Sequence, residues 1–374
     1  MDIFEKIGIR PYINAHDTYT VYGGSRMAEN TLDAMKEIAK HFVDFDELQE
    51  KVGKKIALIT NNEAAYVTNG SAGAIQLAAA VLMAKGDAFH FMRLPSCPDV
   101  NKRFIVMRGQ HNAYDKAIEE AGGEIVFIGD ADETLEVELE GELRKGATGV
   151  FFFAPSQFER ASMPLKRVIA LAGRYNTPVV VDAAAQLPPK ENLWRYTRDL
   201  GADMAIFSGG KTLSGPQDSG LIVGREKYIK DCLRFGAPNH GVCRSSKTSR
   251  ESVVGLYVAL ENYMNMDQEK ESARIEGINK RIAEAIEKTG NARTYLVNHG
   301  PVGQTYQRLF IELKDGKSAM EAEKYMREKG IYIGRQGKDT IYVSALNLND
   351  DEAETVAKEI CSWLKLKNYL KRGF

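Results

Sequence analysis

The sequence predicts an α/β protein: a mostly parallel sheet with helices on both faces, followed by a small C-terminal α+β domain. Three observations predict it. Continuous apolar runs such as GVFFFAP and TPVVVD have the length and β-branched content of strands buried on both faces. Helical patterns alternate with them along the chain. Past residue 265 the character changes to amphipathic helices and alternating strands.

The elements follow in order. Residues 1–30 read as an irregular arm, rich in Tyr, Asn and Gly, with a turn signal at Gly23, Gly24 and Ser25. From Thr31 apolar residues recur at helical spacing (Leu32, Met35, Ile38, Ala39, Phe42), and a second helical pattern runs through Leu48, Val52, Ile56 and Ile59. AAYVTNG is a strand entering a glycine turn, and SAGAIQLAAAVLMA a helix stopped by Gly86. RFIVMRG, EIVFIG and GVFFFAP are strands, separated by the helical patterns AYDKAIEEAG and LEVELEGELRKG. After the helix LKRVIALAGRYN come the strands TPVVVDAAAQ, DMAIFSGG and GLIVGR. A long helix from about Ser249 to Met264 closes a large domain spanning 31–264. The small domain, 265–374, holds the helix RIEGINKRIAEAIEKTG, the strand TYQRLFIEL, the helix SAMEAEKYMREKG and the strands IYIGR and TIYVSA. Asn349 and Glu352 have capping-box spacing before the final helix, AETVAKEICSWLK.

Composition narrows the function. A chain of 374 residues is long enough for a large α/β core or two domains. Its formal net charge of −1 and the lack of a long basic run speak against nucleic acid as the main partner. Cys97, Cys232, Cys243 and Cys361 are widely spaced and match no CxxC or zinc pattern, so free thiols in a reducing cytoplasm and no metal are expected. The N-terminal residues lack a signal-peptide pattern, and no stretch is apolar for long enough to cross a membrane.

Three pieces of chemistry fall at strand ends. In TNGSAGA, residues 68–74, a glycine-rich turn leaves a strand and opens a helix. The free N–H groups and positive dipole end of such a helix attract a phosphate. The motif is neither a Walker A loop nor GxGxxG, and alone it reads equally well as packing. In VVVDAAAQ, Asp182 ends an apolar strand, where open α/β sheets bind ligands. A buried carboxylate needs a cationic partner; capping of the next helix is the bland reading. In FSGGKTLSGP, Lys211 stands just past the following strand, DMAIF. A semi-buried lysine can form a Schiff base with a carbonyl, although most lysines are solvated surface charges. A phosphate cradle, a buried aspartate and a lysine in that order meet the needs of pyridoxal 5′-phosphate.

The chain resembles fold-type I pyridoxal-phosphate enzymes and, within them, the selenocysteine synthase-like family. The resemblance runs through YINAHDTYTVYGGSRMA, DELQEKVGKKIALIT, AAYVTNGSAGA, RGQHNAYDKAI, VVVDAAAQLPP and FSGGKTLSGPQDSGLIVGR, with a weaker echo in KTSRESVVGLYVALENY. It implies that Lys211 is the Schiff-base lysine, that Asp182 pairs with the pyridine nitrogen, and that Ala184 lies against the ring. It implies that Gly70, Ser71, Ala72 and Ser208 hold the phosphate and that His111 stacks on the opposite ring face. Arg335 is a candidate for a substrate carboxylate, and Arg26, Arg160 and Lys247 for a substrate phosphate. His16 and Asp17 depart from the small residues frequent after the Ile-Asn of the arm, which would alter substrate choice if the arm reaches a site.

The leading expectation is a lyase that removes ammonia from a small amino acid or amino-sugar acid, phosphorylated or not, by α,β-elimination to a 2-oxo product. Its partners are then a small amino substrate and further copies of itself, as a homodimer or larger. The alternative is a selenium or sulfur transferase acting on a seryl or phosphoseryl group, or an aminotransferase. A tRNA substrate is disfavoured by the charge balance and by the early start of the cofactor-domain pattern. A non-catalytic protein on the same fold is disfavoured by the joint presence of Lys211 and Asp182.

Overall fold

A computed structural model describes residues 2–300 and 302–366; the last stretch of the expected small domain, 367–374, lies outside the described residues. Among the described residues twelve strands form: β1 (Ile13–Ala15), β2 (Ala64–Asn69), β3 (Arg103–Met107), β4 (Glu124–Ile128), β5 (Gly149–Phe153), β6 (Val179–Asp182), β7 (Met204–Ser208), β8 (Ser219–Gly224), β9 (Ala292–Val297), β10 (Arg308–Leu313), β11 (Ile331–Gln336) and β12 (Thr340–Ser344). The chain divides into two compact units. One holds Ser25–Asn265 and the short segment Pro301–Gln304; the other holds Met1–Gly24, Met266–Gly300 and the chain from Thr305 onward.

The first unit is built on a seven-stranded sheet in the order β2-β8-β7-β6-β5-β3-β4. Strands β7, β6, β5, β3 and β4 run parallel to one another. β8 runs antiparallel to both β2 and β7. Residues 209–218 between β7 and β8 contain no helix, so the chain turns back instead of crossing over. The carboxyl ends of β2, β3, β5, β6 and β7 and the start of β8 therefore share one edge of the sheet. The registers place Asn69 opposite Ser219, Ser208 opposite Gly220, and Phe153 opposite Asp182.

The helices follow from their sequences. Every residue from Ala74 to Ala84 of the helix Gly70–Ala84 is buried, as a helix apolar all round demands. The helix Leu165–Arg174 buries only one stripe, Leu165, Val168, Leu171 and Ala172. The sequence reading missed the helix Glu226–Phe235 and the short helix Ala88–Arg93.

The second unit has a five-stranded sheet in the order β1-β11-β12-β10-β9. The helix Gln268–Glu287 lays Ile275, Ile278, Ile282 and Ile286 into its core, and Asp350–Lys365 adds Val356, Ile360, Trp363 and Leu364. The capping box forms: Asn349 Oδ1 accepts from Glu352 N–H at 2.8 Å, and Glu352 Oε2 accepts from Asn349 N–H at 3.0 Å. No helix among the described residues is long and apolar enough to cross a membrane.

The first residues differ from the expected irregular arm. Residues up to 24 belong to the second unit, and β1 pairs in parallel with β11, Ile13 opposite Ile331 and Ala15 opposite Ile333. A three-residue strand carries too little periodicity to register in the sequence, and its partner lies near the far end of the chain. Next to β1, Asp17 and Arg308 form an ion pair with side chains 5% and 1% exposed. Arg308 Nε and Nη2 donate to Asp17 Oδ2 at 2.9 and 2.6 Å, while Tyr306 Oη donates to Oδ1 at 2.5 Å. Burial opposes the Arg308 charge, but Tyr306 and the Asp17 carboxylate outweigh it and hold the guanidinium above its usual range. Asp17→Ala would leave that guanidinium buried without its carboxylate. Denaturant unfolding should show a loss of about 3–5 kcal/mol.

Candidate functional site

The site grows from the carboxyl edge of the seven-stranded sheet. β6 ends at Asp182 because Val179, Val180 and Val181 are fully buried and the chain meets small residues next. The Asp182 residue is only 7% exposed. Its Oδ1 accepts from the Ala184 N–H at 2.9 Å, and among the described residues its other oxygen has no hydrogen-bond partner. Burial pushes its carboxyl above the usual carboxylate range; the Ala184 N–H bond and the charge of Lys211 pull the other way. Lys211 thus stands close enough to act on Asp182 electrostatically, and it is half-buried in the turn after β7.

That turn is held from several sides. Ser25 Oγ reaches the Lys211 carbonyl at 2.5 Å and the Gly210 carbonyl at 3.2 Å. Thr212 Oγ1 donates to the Leu187 carbonyl at 2.9 Å, and Ser214 N–H to the Lys211 carbonyl at 2.9 Å. Ser208, at the end of β7, donates its N–H to the Ala184 carbonyl at 3.4 Å. Lys211, Asp182, Ala184 and Ser208 are therefore drawn together by adjacent strands.

The phosphate cradle adjoins them through β8. The helix begins at Gly70, whose φ of +63° lies in the left-handed region that glycine adopts freely. A Cβ on Gly220 would lie 2.3 Å from the Gly70 carbonyl carbon and oxygen, so only glycine lets β8 pass the helix start. Ser71 is partly exposed and Ala72 exposed in the first helical turn, where N–H groups have no intrahelical acceptor. Lys247 is exposed on a loop whose carbonyl accepts from Asn69 Nδ2 at 3.2 Å, which places it beside the cradle.

His111 follows β3, two strands from β6 on the same edge, about 10 Å away at ordinary strand spacing. Its Nδ1 lies 2.6 Å from Asp115 Oδ2, and its ring meets Phe127 edge-on at 5.1 Å. The buried Gln110 ties this loop to β5: its Oε1 accepts from the Phe153 N–H at 2.9 Å, and Phe153 pairs with Asp182.

The candidate substrate cations are placed differently. Arg26 is exposed in the first unit. Arg160 forms a surface ion pair with Asp132 at 3.0 Å, its side chain 83% exposed. Arg335 lies in the second unit, where Glu323 accepts from its Nε at 3.1 Å. His16 is ringed by Tyr22, Tyr19 and Tyr342 at 4.3, 5.2 and 5.4 Å, and burial pushes its imidazole below the usual value. Two residues of the site escaped the sequence reading. Ser25 looked like part of a plain turn, with no local signal for its bond to the Lys211 turn. Asp115 has a sequence signal, its position four residues after His111.

The residues fit pyridoxal 5′-phosphate. Asp182 offers an unpartnered oxygen to a ring N–H, Lys211 an amine, and the helix start free N–H groups. The sheet and its edge are those of fold-type I pyridoxal-phosphate enzymes. The chain belongs to the aminotransferase class-V family, which matches residues 24–351, and the cofactor of that family is pyridoxal 5′-phosphate. It is 27% identical over 347 residues to the D-glucosaminate-6-phosphate ammonia lyase of Salmonella typhimurium, covering 88% of this chain and 92% of the relative. A solved D-glucosaminate-6-phosphate ammonia-lyase structure superposes with a TM-score of 0.84 at 25% identity, covering 97% of this chain and 99% of that one. A 5′-C-glycyluridine monooxygenase-decarboxylase of Streptomyces sp. is 26% identical, over 96% of this chain and 90% of its own. An L-seryl-tRNA(Sec) selenium transferase of Clostridium botulinum is 20% identical, over 93% and 81%. The resemblance to the selenocysteine synthase-like family thus holds.

Two outcomes are expected. Asp182 has a raised folded pKa, so the folded state binds more protons than the unfolded state, and stability falls as pH rises from the unfolded carboxylate value, about 3.9. In cofactor-free protein, Asp182→Asn should raise the melting temperature near neutral pH. The gain should vanish below about pH 4, where both states are protonated. Gly220→Ala should push β8 off the helix start; equilibrium dialysis should show pyridoxal 5′-phosphate binding weaker by about 5- to 150-fold, as one strained contact of about 1–3 kcal/mol implies.

Proposed function

We propose that this protein is a pyridoxal-phosphate-dependent ammonia-lyase acting on a small amino acid or amino-sugar acid, with the phosphorylated sugar acids as the favoured class. The observation that carries the cofactor site is Asp182, buried beside Lys211 with one oxygen unpartnered. The similarity to D-glucosaminate-6-phosphate ammonia lyase, in sequence and in fold, supports the reaction type.

The roles divide as follows. Lys211 Nζ would hold the cofactor's aldehyde and, once displaced by the substrate amine, accept the proton from Cα. Asp182 would keep the ring nitrogen protonated. The N–H groups at Ser71 and Ala72, opened by Gly70, and the Ser208 hydroxyl would hold the phosphate. Ala184 would pack against one ring face and His111 would cover the other. When bound, the cofactor supplies a sink for the electron pair left at Cα. The β-substituent leaves with its bonding pair, and water hydrolyses the released enamine to the 2-oxo acid and ammonia. Lys247, Arg26 and Arg160 are the cations proposed to meet a substrate phosphate and Arg335 a substrate carboxylate; Arg160 is paired with Asp132, and Arg335 with Glu323.

A homodimer or larger assembly belongs to this reading. It is supported by apolar side chains left in solvent, among them Ile3, Ile7, Phe42 and Leu58. A cytoplasmic setting accords with four free cysteines. The similarity to a selenium transferase keeps transfer to a seryl group as the second reading.

Purified protein should show a yellow absorbance bleached by borohydride. It should release 2-oxo acid and ammonia from at least one member of a panel of phosphorylated amino-sugar acids and β-substituted amino acids. Lys211→Ala should lose both colour and turnover. A Lys211→Ala protein that stays coloured and active overturns the reading. Consumption of a seryl substrate without ammonia release favours the transferase.

A further inference from the structure

We propose that Asp115 is the positioning residue of His111. Its carboxylate fixes the imidazole with the proton on Nδ1 and leaves Nε2 as a proton-accepting nitrogen at the carboxyl edge of the sheet. This rests on the placement of His111 at the site proposed above.

The geometry is specific. Asp115 is 1% exposed while the His111 side chain is 58% exposed, so a buried carboxylate holds the base of a ring whose far side is open. Asp115 Oδ2 lies 2.6 Å from His111 Nδ1 and also accepts from the Asn112 N–H at 3.3 Å. An oxygen already accepting from a backbone N–H meets a ring nitrogen best when that nitrogen is a donor. In neutral imidazole the second nitrogen is then an acceptor. Phe127 meets the ring edge-on, and Arg108 lies over Phe127 at 5.3 Å.

The loop is built to hold this pair. Asn112 Nδ2 donates to the Gln110 carbonyl at 2.8 Å, and Asn112 Oδ1 accepts from the Tyr114 N–H at 2.8 Å. Gln110 in turn is anchored to Ser162 and to the Phe153 N–H. A frame locked by four hydrogen bonds, with a buried acid on one ring nitrogen, exceeds what flat stacking on a cofactor requires. A ring that only stacks needs no tautomer. Carboxylate–imidazole pairs elsewhere set the tautomer and orientation of the histidine, and amide replacement of the acid inverts the tautomer while leaving the geometry in place.

The test uses the holoenzyme with isotope-labelled histidine, the His111 signal being the one lost in His111→Gln. In the unmodified protein the ring should carry its neutral-form proton on Nδ1; a signal for the Nε2–H form overturns the proposal even where Asp115→Asn does not fold. Asp115→Asn should move that signal to the Nε2–H form and lower kcat about tenfold or more with little change in KM. Asp115→Glu should restore part of both. In a His111→Gln background, Asp115→Asn should cause no further loss of kcat, since it acts through the ring. Additive losses, or a lowered melting temperature with an unmoved ring signal, assign Asp115 a structural role only and overturn the proposal. The ring signal is read without turnover, so failure of the lyase reading is told apart from failure of this one.

Discussion

A carboxylate buried at the end of an apolar strand constrains everything around it. Asp182 lies in β6, with β5 and β7 paired on either side, and its backbone is fully engaged: its carbonyl accepts from Ala154 N–H and the next N–H goes to the Ile206 carbonyl. The side chain is left with one hydrogen bond and a neighbouring ammonium. Desolvation then favours the protonated acid, and a second cation on the free oxygen is needed to hold the ionised form. A protonated pyridine ring meets that need with the right shape. The buried acid is a poor device for stability and a good one for fixing a cofactor's charge.

The sheet order brings the other parts to that acid. Antiparallel β8 sits between β2 and β7, so the helix start after β2 and the lysine turn after β7 lie on the same edge, one strand apart. Gly220 makes this possible, because any side chain there would strike the Gly70 carbonyl. The proposed phosphate and aldehyde contacts thus lie on opposite flanks of one strand. On the other side of β6, the frame of Gln110, Asn112 and Asp115 presents His111. In the proposed reading each of these residues acts on a different group, so one rigid edge separates binding, charge balance and proton movement.

The second unit follows a different logic. Its buried cation, Arg308, is compensated within the unit by Asp17, which arrives on the segment after β1. The first residues are thus held by an ion pair as well as by three backbone pairings. Asp17 is committed to structure, and His16 beside it is enclosed by tyrosines. Both side chains pack within this unit.

Much of this was legible in the sequence. Seven apolar or alternating segments announced the strands of the large sheet, because strands buried on both faces admit few polar residues. Asp182, Lys211 and the glycine-rich turn stood out because each violates that pattern at a strand end. The tertiary structure alone decided three things: the antiparallel direction of β8, the membership of β1 in the second sheet, and the bonds of Ser25 and Asp115 to their site partners. Strand direction depends on what a connection packs against. A three-residue strand is stabilised by a partner hundreds of residues away, and a side-chain bond depends on angles that spacing does not encode. The sequence by itself determined which chemistry is present; the fold determined which nitrogen and which oxygen face each other, because hydrogen bonds are short and directional while sequence patterns are not.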